Sequence, residues 1–226
     1  MSRAMSIVLS GMLMLLWALP ASAAAIVYSN EAAFALATGA TLHPLPTGVN
    51  ALSITTTDNL LTLLSATGTL HTDWTATSGA DRLAGPDMAV SGVESFDGDV
   101  AFSADRYAFG FGIYESTDPS IAGCNTACVD STFEITLLNN GSPLIPSFLL
   151  LPADNTSVFW GVHTDFAFDS VQIREVVGSN DNEIFGTFYT GTEPVPEPGT
   201  LLLLGGGLSL TRLIRQKRRA RAITRA

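Results

Sequence analysis

Three groups of side chains have types and spacings from which chemistry could be built. The first is acidic. Glu94, Asp97 and Asp99 surround Gly98, Asp165 and Asp169 flank Phe166 and Phe168, and Asp181 and Glu183 bracket Asn182. Calcium collects about six to eight hard oxygens, often from loops. Asp97, Asp99, Asp181 and Glu183 are therefore the candidate ligands if the fold gathers their loops. None of these runs matches an EF-hand or a calcium-binding nonapeptide repeat, and solvated acidic loops are the alternative. The second group is aromatic. Trp74, Trp160, Tyr107 and Tyr114 offer faces on which a sugar could stack, with Trp74 and Trp160 as the carbohydrate candidates. The same rings are also what an interior needs. The third group is Cys124, Cys128, His43, His71 and His163. A structural zinc wants four ligands, which two cysteines and scattered histidines do not supply.

Nucleophilic catalysis has no footing in the residues. There is no Gly-x-Ser-x-Gly elbow and no His-Glu-x-x-His, and His163-Thr164-Asp165 has no evident nucleophile beside it. Carboxylate pairs come free in any acidic domain, and glycoside hydrolysis depends on a separation that sequence does not give. The expectation is a non-enzyme with no catalytic residue and no cofactor, calcium aside. A hydrolase is a third reading.

The elements that must position these groups read as β-strands. Val100–Ala104, Tyr107–Tyr114, Thr132–Leu138, Ser147–Leu151, Ser157–Val162, Ser170–Val176 and Glu183–Tyr189 are rich in Val, Ile, Thr and Phe, and turn residues separate them. Between Tyr107 and Tyr114 large and small residues alternate, so one face is aromatic and the other nearly bare. Asn139-Asn140-Gly141-Ser142 predicts a tight hairpin. One short helix is expected over 30–38, capped by Ser29 or Asn30, with Glu31 in its first turn and Gly39 ending it. Asn50–Leu70 reads as strands or as a broken helix. The fold class is mainly β: a two-sheet sandwich, jelly-roll or lectin-like. Its expected core is Phe102, Phe109, Phe111, Phe133, Ile135, Phe148, Phe159, Trp160, Phe166, Phe168, Val171 and Ile173.

Charge separates this body from its ends. The 226 residues carry a net charge of −10 from 21 acids and 11 bases, and seven of those bases lie in residues 212–226. Residues 25–195 hold three bases against twenty acids, a formal −17. Such a body lacks the basic face that nucleic acid requires. Its hydrophobic share of 46% and mean hydropathy of +0.31 exclude a disordered chain. At the N-terminus Arg3, an apolar run from Ile7 to Leu19, Pro20 and small residues to Ala25 have the order of a secretory signal peptide. Cleavage is expected after Ala23 or up to two residues later. An uncleaved anchor is the alternative. At the C-terminus Pro194, Pro196 and Pro198 hold the chain extended. A fourteen-residue apolar stretch from Leu201 to Ile214 follows, then the basic tail. As a helix the stretch would span about 21 Å against a hydrocarbon core of about 30 Å.

Val195-Pro196-Glu197-Pro198-Gly199-Thr200, the apolar stretch and the terminal Arg/Lys cluster resemble the PEP-CTERM sorting domain of exported Gram-negative bacterial proteins. The resemblance implies recognition of Pro196-Glu197-Pro198 by an exosortase, with removal or transfer of the tail near that site. It extends more loosely to Ala108-Phe109-Gly110-Phe111, Phe159-Trp160-Gly161-Val162, Phe168-Asp169-Ser170-Val171 and Phe185-Gly186, which resemble the bodies of such proteins. The organisation that follows is a signal peptide over 1–23, an acidic sandwich over 24–192 and a sorting segment over 193–226. Within that last segment lie the motif at 195–200, the apolar stretch as a short hydrophobic helix at 201–214 and the basic tail at 212–226. Export into an oxidising compartment makes Cys124 and Cys128 a candidate disulfide that pins its loop. The expected function is that of an exported, non-enzymatic envelope or extracellular protein, held briefly at the inner membrane. Signal peptidase and exosortase would process it, and no nucleic acid would partner it. A lectin-like module for extracellular polysaccharide, calcium-dependent or not, is the alternative.

Overall fold

Apolar residues that alternate with small or polar ones form a strand wherever both edges find partners, and two stretches do so for unusual lengths. The computed structural model describes residues 24–66, 69–72, 87–91, 97–116, 131–152, 156–178 and 182–195. In chain order these form β1 (Ala25–Tyr28), α1 (Glu31–Thr38), β2 (Thr41–His43), β3 (Asn50–Ala51), β4 (Ser53–Thr55), β5 (Leu61–Ser65), β6 (Thr69–Thr72) and β7 (Asp87–Ser91). Then come β8 (Asp97–Ser116), β9 (Thr132–Asn139), β10 (Ser142–Pro143), β11 (Phe148–Leu150), β12 (Ser157–Val177) and β13 (Asn182–Gly191). Ala25–Val195 is one compact unit.

β8 and β12 pair antiparallel along almost their whole lengths, with register shifts between His163 and Ser170. Irregularities of this kind bend a strand without ending its ladder. Two pairs of runs that read as separate strands, 100–104 with 107–114 and 157–162 with 170–176, are therefore single strands that turn a corner. Asp105-Arg106 interrupts the apolar alternation but not the strand, and the pairing with β12 shifts register on either side of Arg106 and Phe168. On one side of the corner β9, β12, β8, β5 and β4 lie in order, with β10 and β11 on β9. On the other side β1, β12, β8, β13, β7, β6 and β3 follow one another, and β2 also pairs β13.

The two layers face each other across a core of rings. Phe133 of β9 stands edge-on to Phe185 of β13 at 5.8 Å, and Phe148 of β11 to Trp160 of β12 at 5.5 Å. Phe102 fills the corner between Phe109 and Phe168. The fold is thus a β-sandwich whose layers share their two longest strands. Of the expected core, Phe102, Phe148 and Phe166 are only partly buried and pack against its margin, while the other nine are buried. Each fully buried ring contributes about 1.5–3 kcal/mol. The half-exposed Arg174–Asp99 pair at 2.7 Å contributes about 0–1 kcal/mol, so ring packing holds the layers together.

The bare face of β8 has an occupant. Gly110 registers with Gly161 of β12, and Phe34 of α1 lies over the pair. A Cβ at Gly161 would come within 2.8 Å of Phe34 Cδ2, and one at Gly110 within 2.6 Å of Phe159 Cζ. The glycines are therefore a seat for a ring. α1 starts where the sequence places it. Asn30 caps it by accepting from the Ala33 amide at 2.8 Å, and Gly39 ends it at φ 61°. The hairpin at Asn140 and Gly141 has φ of 50° and 73°, as a two-residue turn requires. The region 50–70 contains the short strands β3, β4, β5 and the start of β6, which settles its reading in favour of strands.

Candidate functional site

Two places on the unit concentrate polar groups that sequence separates widely. The first joins its ends. Ala25 registers with Thr164 of β12, so the sandwich begins there. After β13 the chain returns to the same spot. The Val195 amide donates to the Thr164 carbonyl at 2.9 Å, and His163 Nε2 lies 2.8 Å from the Glu193 carbonyl oxygen. A carbonyl only accepts, so Nε2 carries the proton. Thr164 is fully buried, and its hydroxyl lies within hydrogen-bond reach of the carbonyls of Tyr107 (3.0 Å) and Phe166 (2.6 Å). His163, without an evident partner in the sequence, is thus used on a backbone group 30 residues away.

The second place is a chain of four side chains, three of them buried, that the sequence does not reveal. Asp58 Oδ2 meets His43 Nδ1 at 2.6 Å, and His43 Nε2 meets Thr190 Oγ1 at 2.7 Å. Arg106 Nε donates to the same Oγ1 at 3.1 Å. His43, Arg106 and Thr190 are all buried. One proton arrangement satisfies every group: Nδ1–H to Asp58, the threonine hydroxyl to Nε2, and Arg106 to the threonine oxygen. Asp58 sits in the β4–β5 turn, where it also accepts from the Thr56 hydroxyl and the Leu60 amide. Burial would raise its carboxyl. The hydrogen bonds from His43, Thr56 and Leu60 outweigh that and hold it below its ordinary value. The order Asp–His–Thr resembles a nucleophilic relay. A nucleophile needs a free approach to its oxygen. Here Oγ1 is engaged from both sides and buried, so the array works as a pin. It ties the β4–β5 turn to β2, the β8 corner and β13.

The candidates read from sequence fall in different places. Asp99 is ion-paired with Arg174 and near Gln172 Nε2. Glu183 registers with Glu115, and Asp97 with Arg174, in opposite parts of β8. Asp181 lies outside the described residues, as do Trp74, Cys124, Cys128 and Pro196 to Thr200. The signal segment over 1–23 and the apolar and basic stretches over 201–226 lie outside them as well. Among the described residues no three acidic, His or Cys side chains gather as metal ligands, and no helix is long and apolar enough to cross a membrane. Trp160 is 4% exposed and packs on Phe111 and Phe148, so its faces serve the core. Tyr114 is buried too. A different aromatic borders open space. Tyr189 lines a depression of about 420 Å³ with Asn30, Glu31, Ala32 and Ala35. Its hydroxyl donates to Glu31 Oε1 at 2.6 Å, and burial, with that carboxylate, pushes the phenol up to about 12.

No curated protein matches the chain. Solved structures with similar folds include a carbohydrate-binding module of family 29, at 14% identity and a TM-score of 0.42 over 72% of this chain and 97% of that one. A family 11 carbohydrate-binding module of the cellulosomal cellulase Lic26A-Cel5E of Clostridium thermocellum has 9% identity and a TM-score of 0.32, over 61% of this chain and 90% of its own. Where the folded unit ends at Val195, another comparison takes over. Residues 194–219 match the family model described as a PEP-CTERM protein-sorting motif, so the chain carries that motif beyond its folded unit.

Proposed function

We propose that this is an exported, non-enzymatic protein of the cell envelope or exterior, delivered by exosortase processing of its C-terminal segment. The observation that carries this reading is an adjacency. The sorting motif begins at residue 194, and Val195, the last described residue, is bonded to the sandwich through its amide. Signal peptidase removes the leader, the apolar stretch holds the precursor at the inner membrane, and the positive tail stays on the cytoplasmic side. Replacing Pro196, Glu197 and Pro198 together by alanine is expected to leave unprocessed precursor in the membrane fraction of a host that contains the enzyme. The same distribution of product as the unaltered chain would contradict the reading.

The depression beside α1 supports a second role, carbohydrate binding. Tyr189 supplies a ring with a hydroxyl, Glu31 a carboxylate and Asn30 an amide around open space, the mixture that sugars use. The body carries −17 over residues 25–195, so neutral glycans suit it better than anionic ones. On a glycan array, neutral oligosaccharides are expected to bind and Tyr189→Ala to lose them. Binding unaffected by that substitution would remove the depression from consideration.

A further inference from the structure

The sandwich controls how its sorting motif can be reached, and the contacts at His163 and Thr164 show how. A protease that reads an extended substrate commonly pairs with its backbone as with an added strand, through amide and carbonyl groups. At the start of the motif those groups are already committed. The Val195 amide is bonded to the Thr164 carbonyl, and the Glu193 carbonyl to the His163 ring. Pro194, Pro196 and Pro198 have no amide to offer. Across residues 194–198 only Val195 and Glu197 carry an amide hydrogen, and that of Val195 is taken by the sandwich. His163 is 4% exposed and Thr164 is fully buried, so this is a seat built into β12. Ala25, where the leader joins the sandwich, registers with Thr164 itself and packs against the core.

We propose that His163 and Thr164 form a clasp that retains the sorting segment, so that the processing enzyme takes the chain only from Pro196 onward. The clasp places the two processed ends of the protein side by side. It confines the enzyme to a recognition mode that reads the Pro-Glu-Pro side chains and carbonyls, with no strand pairing upstream. It also protects the sandwich, because pulling the chain out of β13 must first break both bonds to β12. The proposal rests on the sorting reading for its enzyme, though not for its geometry.

The test uses the full-length chain in two forms, unaltered and His163→Ala, with His163→Gln as the variant that restores a side-chain donor. Hydrogen exchange of precursor from a host without the processing enzyme reads the clasp directly. His163→Ala is expected to speed exchange at Val195 on the order of tenfold, the loss of about one buried hydrogen bond, with peptides from β8 and the rest of β12 unchanged. His163→Gln is expected to restore protection, and it decides the matter if the alanine variant does not fold. In a host with the enzyme, unaltered chains are expected to end at or beyond Pro196, and His163→Ala chains to show additional upstream ends. Equal exchange at Val195 in all three forms, or unaltered product that ends before Val195, would overturn the clasp. If no motif-dependent product forms from any chain, the sorting reading fails, and the exchange measurement still decides the clasp.

Discussion

Asp58 shows how one side chain couples two layers and a solvent variable. Its carboxylate faces His43, which faces Thr190, which accepts from Arg106, and only Asp58 of the four is substantially exposed. Because its carboxyl is held below the ordinary value in the fold, its stabilising contribution is fully present above the unfolded carboxylate range. It is lost as pH falls through that range toward the folded value. Asp58→Ala leaves the His43 Nδ1–H buried without an acceptor, which costs about 1–3 kcal/mol. Urea unfolding at pH 7 is expected to show that loss, and the gap between variant and unaltered protein is expected to narrow at pH 3. A gap of constant size would mean that Asp58 is not titrating within the network. Nothing in the sequence announces this array. His43 and Thr190 are 147 residues apart and occupy unremarkable strand positions. The residues that sequence did single out were those whose type is suggestive in isolation, and the fold spends Trp160 on the core and Asp99 on Arg174.

At the scale of elements, α1 depends on the sheet beneath it. An isolated helix of eight residues is marginal in water. This one keeps its place through the Asn30 cap and through Phe34, fully buried over the paired glycines and ringed by Tyr28, Phe159 and Tyr189. Phe34→Ala is expected to cost about 3–5 kcal/mol in urea unfolding. It should also loosen the depression that Tyr189 lines. A loss below 1 kcal/mol would show that the helix is an ornament on the sheet. The elements were largely legible. Cap, first-turn acid and terminal glycine marked α1, Asn-Gly marked the β9–β10 turn, and alternation marked β9 and β13. The corner was not legible, because Asp105-Arg106 looks like a break between strands. Only the partner strand, bent at the matching place, shows that the ladder continues. The bare face at Gly110 was legible as bare, but its filling by a helix some 70 residues upstream was not.

At the scale of the whole molecule, we propose an acidic sandwich between two address segments, of which the C-terminal one matches a sorting motif. The formal −10 of the full chain is a sum over unlike parts, of which residues 25–195 carry −17. The structure adds that Ala25, near the start of the sandwich, and Val195, its last described residue, both meet one residue, Thr164. The address itself was the most legible feature of the sequence, because proline spacing, an apolar stretch and clustered bases are local patterns that need no fold. The measurement that bears most directly on the central claim is the intact mass of the mature protein isolated from its own host. The account requires a product that starts at Ala24, Ala25 or Ile26 and ends near Pro196 to Pro198. A mature mass that retains residues 201–226 would contradict it.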